Sequence, residues 1–281
     1  MKPGAERFRR NLTPVRIVAV RDGVRSERPD QLATEEPMEI RAEGPGQRPV
    51  SVAVTMRTPG SDFELAAGFL FTEGLIAGRD DVRRVSYCED LPAEEQHYNV
   101  VTVELVRPFD AGTLSRHFVA NSSCGVCGKA TLDDVAVHCT PIAPGPIVKA
   151  DVIVGLPAAL RESQKVFDRT GGLHAAGLFA PDGTLLEVRE DVGRHNAVDK
   201  VVGKAVLAGD LPLAERILQV SGRVSFDIVQ KAGRAGIAIL GAISAPSSLA
   251  VETADRLGMT VVGFVRDGRF NVYTRPERIA V

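Results

Sequence analysis

The chain of 281 residues contains no apolar run approaching the roughly 18 residues of a membrane-spanning helix; Gly236 to Ala245 comes nearest and is too short. Its opening residues, MKPGAERFRRNLTP, are charged but lead into no apolar stretch, so no secretory signal is expected. Four cysteines are too few for a disulfide framework. A cytoplasmic chain is therefore expected, and there a Cys-x-x-Cys pair more often marks reactive or metal-binding thiols than a structural bridge. An excess of one charge sign is missing too. The 34 basic and 36 acidic side chains leave a formal net charge of −2. That balance excludes a broad electrostatic claim on nucleic acid or an anionic membrane. Any anionic ligand must be held by a local cluster. Internal repeats and low-complexity tracts are absent. What is present is ordinary globular composition, 44% hydrophobic and 25% charged. It suffices for a sizeable core in one large domain or two of ordinary size.

Residues 1–35 read as a polar, irregular tail in which only Val15–Val20 alternates weakly, like a strand. Residues 36–110 read as a small α+β domain. Met38–Arg41 and Val50–Met56 alternate like half-buried strands, separated by the turn-rich Gly44-Pro45-Gly46. A helix starts at the capping-box pair Ser61 and Glu64 and stops at Gly74, and Asn99–Leu105 is another strand. Residues 111–281 read as an α/β domain that opens with a cysteine-bearing loop. Pro157 suits the first turn of a helix, with Gly171 and Gly172 after it. Leu173–Phe179 and Thr184–Arg189 form a hairpin across Pro181-Asp182-Gly183, followed by a helix burying Val198, Val201, Val202 and Ala205. Strand Arg216–Val220, helix Phe226–Ala232, strand Ile237–Ile243, helix Ser247–Leu257 and strand Thr260–Val265 complete a βαβαβ order. That order implies parallel strands with helices on the sheet faces.

The strongest local signal is Asn121-Ser122-Ser123-Cys124-Gly125-Val126-Cys127-Gly128-Lys129. Two thiols at this spacing can share a metal, cycle as a disulfide, or act as nucleophile and resolving partner. A helix capped by Thr131, with Lys129 nearby, favours thiolate at Cys127. A zinc site would need two more ligands, and His138 and Cys139 are adjacent in sequence and awkward to bend onto one ion. No metal site is expected. None of His97, His117, His138, His174 or His195 is followed two places on by glutamate, so zinc-deaminase chemistry lacks its proton shuttle. Ser123 and Ala130 spoil a phosphate-loop match at Gly128-Lys129.

A second constellation is Glu190-Asp191-Val192-Gly193-Arg194-His195-Asn196, with Asp199 and Lys200 beyond it. It suits either a polar ligand or a capped helix start with solvated charges. His174 sits in an apolar strand, as a satisfied core residue or a ligand-facing one. Ser221-Gly222-Arg223-Val224-Ser225 and Ser244-Ala245-Pro246-Ser247-Ser248 each follow a strand and open a helix. Phe264-Val265-Arg266-Asp267-Gly268-Arg269 follows the third strand, its arginines flanking a turn. Sheets of this kind bind ligands at the carboxyl ends of their strands.

The cysteine motif, Glu190–Asn196, Ser221–Ser225 and Ser244-Ala245-Pro246 occur in an order that resembles the FdhD family, the formate dehydrogenase accessory sulfurtransferases. Thr58-Pro59-Gly60 and Phe69–Gly74 are similar to that family as well. The resemblance spans Met38 to Thr274. It implies a mixed-sheet α/β fold of cytidine deaminase-like type beside the smaller α+β domain. It also implies a sulfur carrier between a cysteine desulfurase and the molybdenum (or tungsten) bis-molybdopterin guanine dinucleotide cofactor of formate dehydrogenase, and a homodimer. On this resemblance Cys124 carries the persulfide and Cys127 is the second motif cysteine. Phe264, Val265, Arg266, Asp267, Gly268 and Arg269 contact the cofactor. Ser221, Arg223, His174, Arg194 and His195 are the further candidates for holding it, with a guanine nucleotide as mimic. The competing classes are a pure cofactor-binding module, in which Cys124 is dispensable, and a small zinc-stabilised regulatory protein.

Overall fold

The computed structural model describes residues 10–88, 97–109 and 139–281. Cys124 and Cys127, with the loop around them, lie outside the described residues. At the N-terminal end, β1 (Leu12–Arg21) and β2 (Val24–Ala33) pair antiparallel. The irregular tail expected over residues 1–35 is thus corrected to a hairpin over Leu12–Ala33. Asp22 and Gly23 both take positive φ, 50° and 79°. They form the two-residue turn whose twist matches the flanking strands. Polar and apolar residues mix on both faces, so no clean alternation announces the pair.

Four strands, β3 (Glu36–Glu43), β4 (Val50–Arg57), β5 (Val82–Tyr87) and β6 (Val100–Leu105), form a sheet in the order β4-β3-β6-β5. Met38, Ile40, Val101 and Val103 are buried in one cluster with Leu65, Ala66 and Leu70 of α1 (Asp62–Thr72). The expected capping box does not form. Ser61 takes φ 55° and its side chain caps nothing. Asp62 instead accepts from the Gly60 N–H at 3.1 Å, folding the Thr58-Pro59-Gly60 loop against the helix start. Gly74, at φ 79°, ends the helix where expected.

The larger sheet follows β7 (Val148–Lys149), α2 (Ala150–Glu162) and α3 (Lys165–Thr170). Its strands are β8 (His174–Phe179), β9 (Leu185–Asp191), β10 (Ile217–Val220), β11 (Ile239–Ala242), β12 (Thr260–Arg266) and β13 (Arg269–Thr274), ordered β13-β12-β11-β10-β8-β9. As the βαβαβ pattern predicts, β10, β11 and β12 are parallel, with α5 (Phe226–Arg234) and α6 (Ser248–Leu257) as crossovers. The β8–β9 hairpin joins antiparallel, making the sheet mixed. β14 (Ile279–Ala280) pairs with β7. Pro157 lies inside α2 rather than in its first turn. The helix runs from Ala150, and its start was hidden because Lys149 offers no side-chain cap.

The two sheets are joined through α1 and α4 (Arg194–Ala208). A Cβ built on Gly68 would sit 1.9 Å from the Asp199 carbonyl oxygen, and one on Gly203 would sit 1.8 Å from that of Glu64. Only glycine lets the backbones come this close. Beside the crossing, the buried Lys231 ammonium lies 2.9 Å from both Asp199 carboxylate oxygens and from Thr72 Oγ1. Burial opposes charge on Lys231, but Asp199 and Glu73 outweigh it and hold its pKa above the ordinary lysine value. One apolar cluster runs from Met38 and Leu65 through Val198 and Val201 to Val229 and Leu240.

Candidate functional site

The amino end of β8 and the carboxyl ends of β9, β10, β11 and β12 fall on one side of the large sheet. His174 pairs with Asp191 across β8 and β9, and Val220 with Ala176 across β10 and β8. Asp191 is fully buried. It accepts from Thr58 N (3.1 Å), Gly193 N (2.8 Å) and Asn196 Nδ2 (3.0 Å), with Lys200 Nζ at 2.6 Å. Lys200 also donates to the Thr58 carbonyl at 2.9 Å. Glu190 accepts from Val166 N and Phe167 N at the start of α3. Much of the Glu190–Asn196 constellation is therefore scaffold. It fixes the Thr58 loop and the start of α4, and leaves Arg194 and His195 as candidates for a ligand.

His195 Nε2 lies 3.3 Å from Ser225 Oγ and 3.8 Å from Asp227 Oδ2. Both neighbours face the same ring nitrogen, so no serine–histidine–aspartate relay exists here. Burial first, and then the charges of Arg194 and Lys231, push its pKa down to about 3. His174 is lowered as well, by burial and by Arg194. Two neutral imidazoles and the Arg194 guanidinium thus occupy one corner. A Cβ on Gly222 would stand 3.5 Å from His174 Nδ1 and 3.8 Å from Arg194 Cδ, so this glycine leaves the space between loop and histidine open. Arg194 Nε is buried without a partner among the described residues. Ser221 is committed to the scaffold: its Oγ accepts from Ala175 N at 2.8 Å.

The three strand-end loops are stitched together. Val224 N donates to Ala245 O, Ser247 N to Val224 O, and Phe264 N to Ser244 O. Phe264 takes φ 54°, a left-handed conformation that costs a bulky residue. Asp267 and Gly268, at φ 52° and 73°, make a two-residue hairpin turn. Arg266 and Arg269 are consequently the closing pair, directly opposite each other. Both are exposed. Like charges so placed repel, and an anion between them relieves the cost. The Arg266 guanidinium also lies 5.7 Å from the Phe264 ring centroid. Val265 belongs to the core, with its side chain fully buried, so it can offer a ligand backbone only. Arg223 is exposed at the loop between the two clusters.

Sequence reasoning missed Thr58 and Ser225 as parts of this corner. The Ser221–Ser225 motif contained Ser225, but only the fold brings it to His195.

The FdhD/NarQ family model matches residues 33–280. The chain belongs to the FdhD/NarQ family. It is 52% identical over 273 residues to the sulfur carrier protein FdhD of Streptomyces coelicolor, covering 95% of each chain. Against the protein of the same name from Mycobacterium tuberculosis the identity is 53% over 262 residues, covering 90% of this chain and 92% of that one. Among solved structures, a Desulfotalea psychrophila protein assigned as a formate dehydrogenase accessory protein matches with a TM-score of 0.74 at 27% identity. The match covers 96% of this chain and all of the other. The family resemblance read from the motifs thus holds over nearly the whole length. Among the described residues, no helix is long and apolar enough to cross a membrane.

Proposed function

We propose that this FdhD-family protein is a cytoplasmic sulfur carrier that matures formate dehydrogenase. What carries the reading is the likeness, over almost the entire chain, to proteins named sulfur carrier protein FdhD. The Cys124 thiolate attacks the outer sulfur of a cysteine desulfurase persulfide. A new S–S bond forms at Cys124, the old one breaks, and the desulfurase leaves as thiolate, with no oxidant consumed. The carried sulfur then passes to the bis-molybdopterin guanine dinucleotide cofactor of molybdenum or tungsten, which is cargo destined for formate dehydrogenase: the S–S bond at Cys124 breaks, and the two electrons that turn the outer sulfur into sulfide come from the Cys127 thiolate, which closes a disulfide with Cys124, or from the reduced metal of the cargo, which leaves Cys124 as thiolate. Cys127 stands as relay or resolving thiol. The chain acts as a homodimer.

The strand-end loops are the seat proposed for that cargo. Arg266 and Arg269 form a like-charged pair that an anion would relieve, and the buried Arg194 Nε is a donor that finds no acceptor among the described residues. Arg223, Ser221, His174 and His195 border the same edge. Held neutral, the histidines can face a ligand without adding charge to it. The mixed sheet, with an antiparallel hairpin beside three parallel strands, supports the cytidine deaminase-like reading of the fold.

The test is mass spectrometry after incubation with a cysteine desulfurase and cysteine. An addition of about 32 Da should map to the peptide containing Cys124. Cys124→Ala should fold, lose the addition and abolish formate dehydrogenase maturation. Normal maturation by that variant would leave a cofactor-binding module without sulfur transfer.

A further inference from the structure

Among the described residues, β1 and β2 form a sheet of two strands with both outer edges open. The hairpin is held at its base, where Arg169 Nε donates to Gln31 Oε1 at 2.8 Å beside α3. From Val24 to Pro29 every residue of β2 is exposed, so the arm reaches about 20 Å past that anchor. A ribbon of two strands is marginally stable at best in water, and further strands are what stabilise it.

The ladder tells which edge is open to another strand. Thr34 N donates to Asn11 O at 3.0 Å, so the exchanged bonds fall on this pair and on every second pair up to Arg21 with Val24. Pro14 and Pro29, which have no N–H, occupy intervening pairs, as they must. Residues of the intervening pairs turn their backbone groups outward. On β2, Pro29 interrupts that outward row of donors. On β1, Arg16, Val18 and Val20 follow Pro14 without a gap. The side chains divide the same way. After Pro14, β1 reads Val15-Arg16-Ile17-Val18-Ala19-Val20-Arg21, with no acid, whereas β2 carries Arg25, Glu27, Arg28 and Asp30. Val18 and Val20 are 60% and 63% exposed. Natural sheets place charge and proline on their edge strands. β2 is built as an edge; β1 is built as an inner strand.

We propose that β1 pairs antiparallel with β1 of a second copy of this chain, Val18 facing Val18 on a twofold axis. The product is a four-stranded sheet with the two β2 strands outside. This deepens the homodimer reading and rests on it. In that register Arg16 faces Val20 and Arg21 faces Val15, so no like charges oppose each other. Arg16 keeps Glu27 of its own chain at 3.6 Å. The outward residues Arg16, Val18 and Val20 meet their counterparts in pairs that exchange two hydrogen bonds each. A second copy fits because the same strand, turned about the axis, offers the same acid-free row of groups. The pairing closes after two chains and leaves only the Pro29 edges outside.

Sedimentation equilibrium of the full chain over a concentration series, with two matched variants, tests this. Val18→Pro removes an outward N–H that β2 does not use, as at the native Pro14, and leaves the hairpin's own ladder whole. Glu27→Pro does the same on β2, directly across from Val18. The unmodified chain should sediment as a dimer. Val18→Pro should raise its dissociation constant roughly a hundredfold, both bonds on the axis being lost, and Glu27→Pro should change it less than about twofold. Hydrogen exchange of the unmodified protein needs no variant: residues 15–21 should gain protection as concentration rises, and residues 24–30 should not. A dimer that Val18→Pro leaves intact, or that Glu27→Pro breaks equally, overturns the strand pairing while the homodimer reading stands. Exchange at residues 15–21 that ignores concentration while the dimer forms does the same. A monomer at about 100 μM overturns both.

Discussion

Replacing Asp191 with asparagine tests how the corner of the site is held. The carboxylate is fully buried and gathers two backbone N–H groups, the Asn196 amide and the Lys200 ammonium. Asparagine keeps the shape and one acceptor oxygen, but it turns an N–H₂ group or a neutral oxygen toward Lys200. Removing one partner of a buried ion pair costs about 3–5 kcal/mol, because the other charge is stranded. Lys200 retains the Thr58 carbonyl at 2.9 Å and the Glu190 carbonyl at 3.4 Å, so the lower end applies, about 3 kcal/mol. Urea denaturation at pH 7 should show the midpoint falling with the slope unchanged. Adding Lys200→Met removes the stranded charge, and the double variant should recover roughly half of the loss. A single variant costing less than about 1 kcal/mol, or two costs that simply add, would refute the view that Asp191 and Lys200 act as one unit.

The helix crossing makes a second expectation. Gly203→Ala puts a methyl group into the Glu64 carbonyl, a backbone atom that cannot step aside, so we expect at least about 3 kcal/mol of destabilisation, read as a Tm lower by roughly 6 °C or more. The histidine corner makes a third. The folded pKa of His195, about 3, lies below its ordinary 6.5, so the unfolded chain takes up the proton first and stability drains as pH falls through that interval. By pH 5 the loss relative to pH 7 is about 2 kcal/mol. The pH dependence of urea midpoints should be flatter by that amount in His195→Gln, and equal slopes in both proteins would show that His195 does not carry it.

The C-terminal half was legible because its elements announce themselves. Ser247 caps α6 through its side chain, Gly209 and Gly258 end α4 and α6 in left-handed conformations, and the β10, β11 and β12 segments are buried runs. The start of α2 is different. Lys149 precedes it without a side-chain cap, so Pro157, tolerated mid-helix, stood out as the only marker. The β1–β2 hairpin was illegible for the opposite reason. Val18, Val20 and Val24 remain more than half exposed, and neither face buries a set of side chains that would impose a period of two. The Asp22-Gly23 turn was the usable signal.

At the site, sequence separated what carries charge from what does not, but it could not separate solvated charge from buried charge. Asp191 and Arg194 are three residues apart in one motif, yet the fold spends Asp191 on four internal donors and leaves a nitrogen of Arg194 with no acceptor among the described residues. Only the third dimension supplies that distinction, because the donors come from Thr58 as well as from the motif itself. The division follows from position. Asp191 ends an edge strand and faces the Thr58 loop, where backbone N–H groups must be satisfied in the dry interior. Arg194 opens a helix at the sheet's edge, where the N–H groups of a first turn have no partners within the helix. A rigid, internally saturated acid thus holds an unsatisfied cationic one-turn platform in place. Loosening the first should therefore weaken anion binding at the second, even though Asp191 is buried beneath the surface that a ligand would meet.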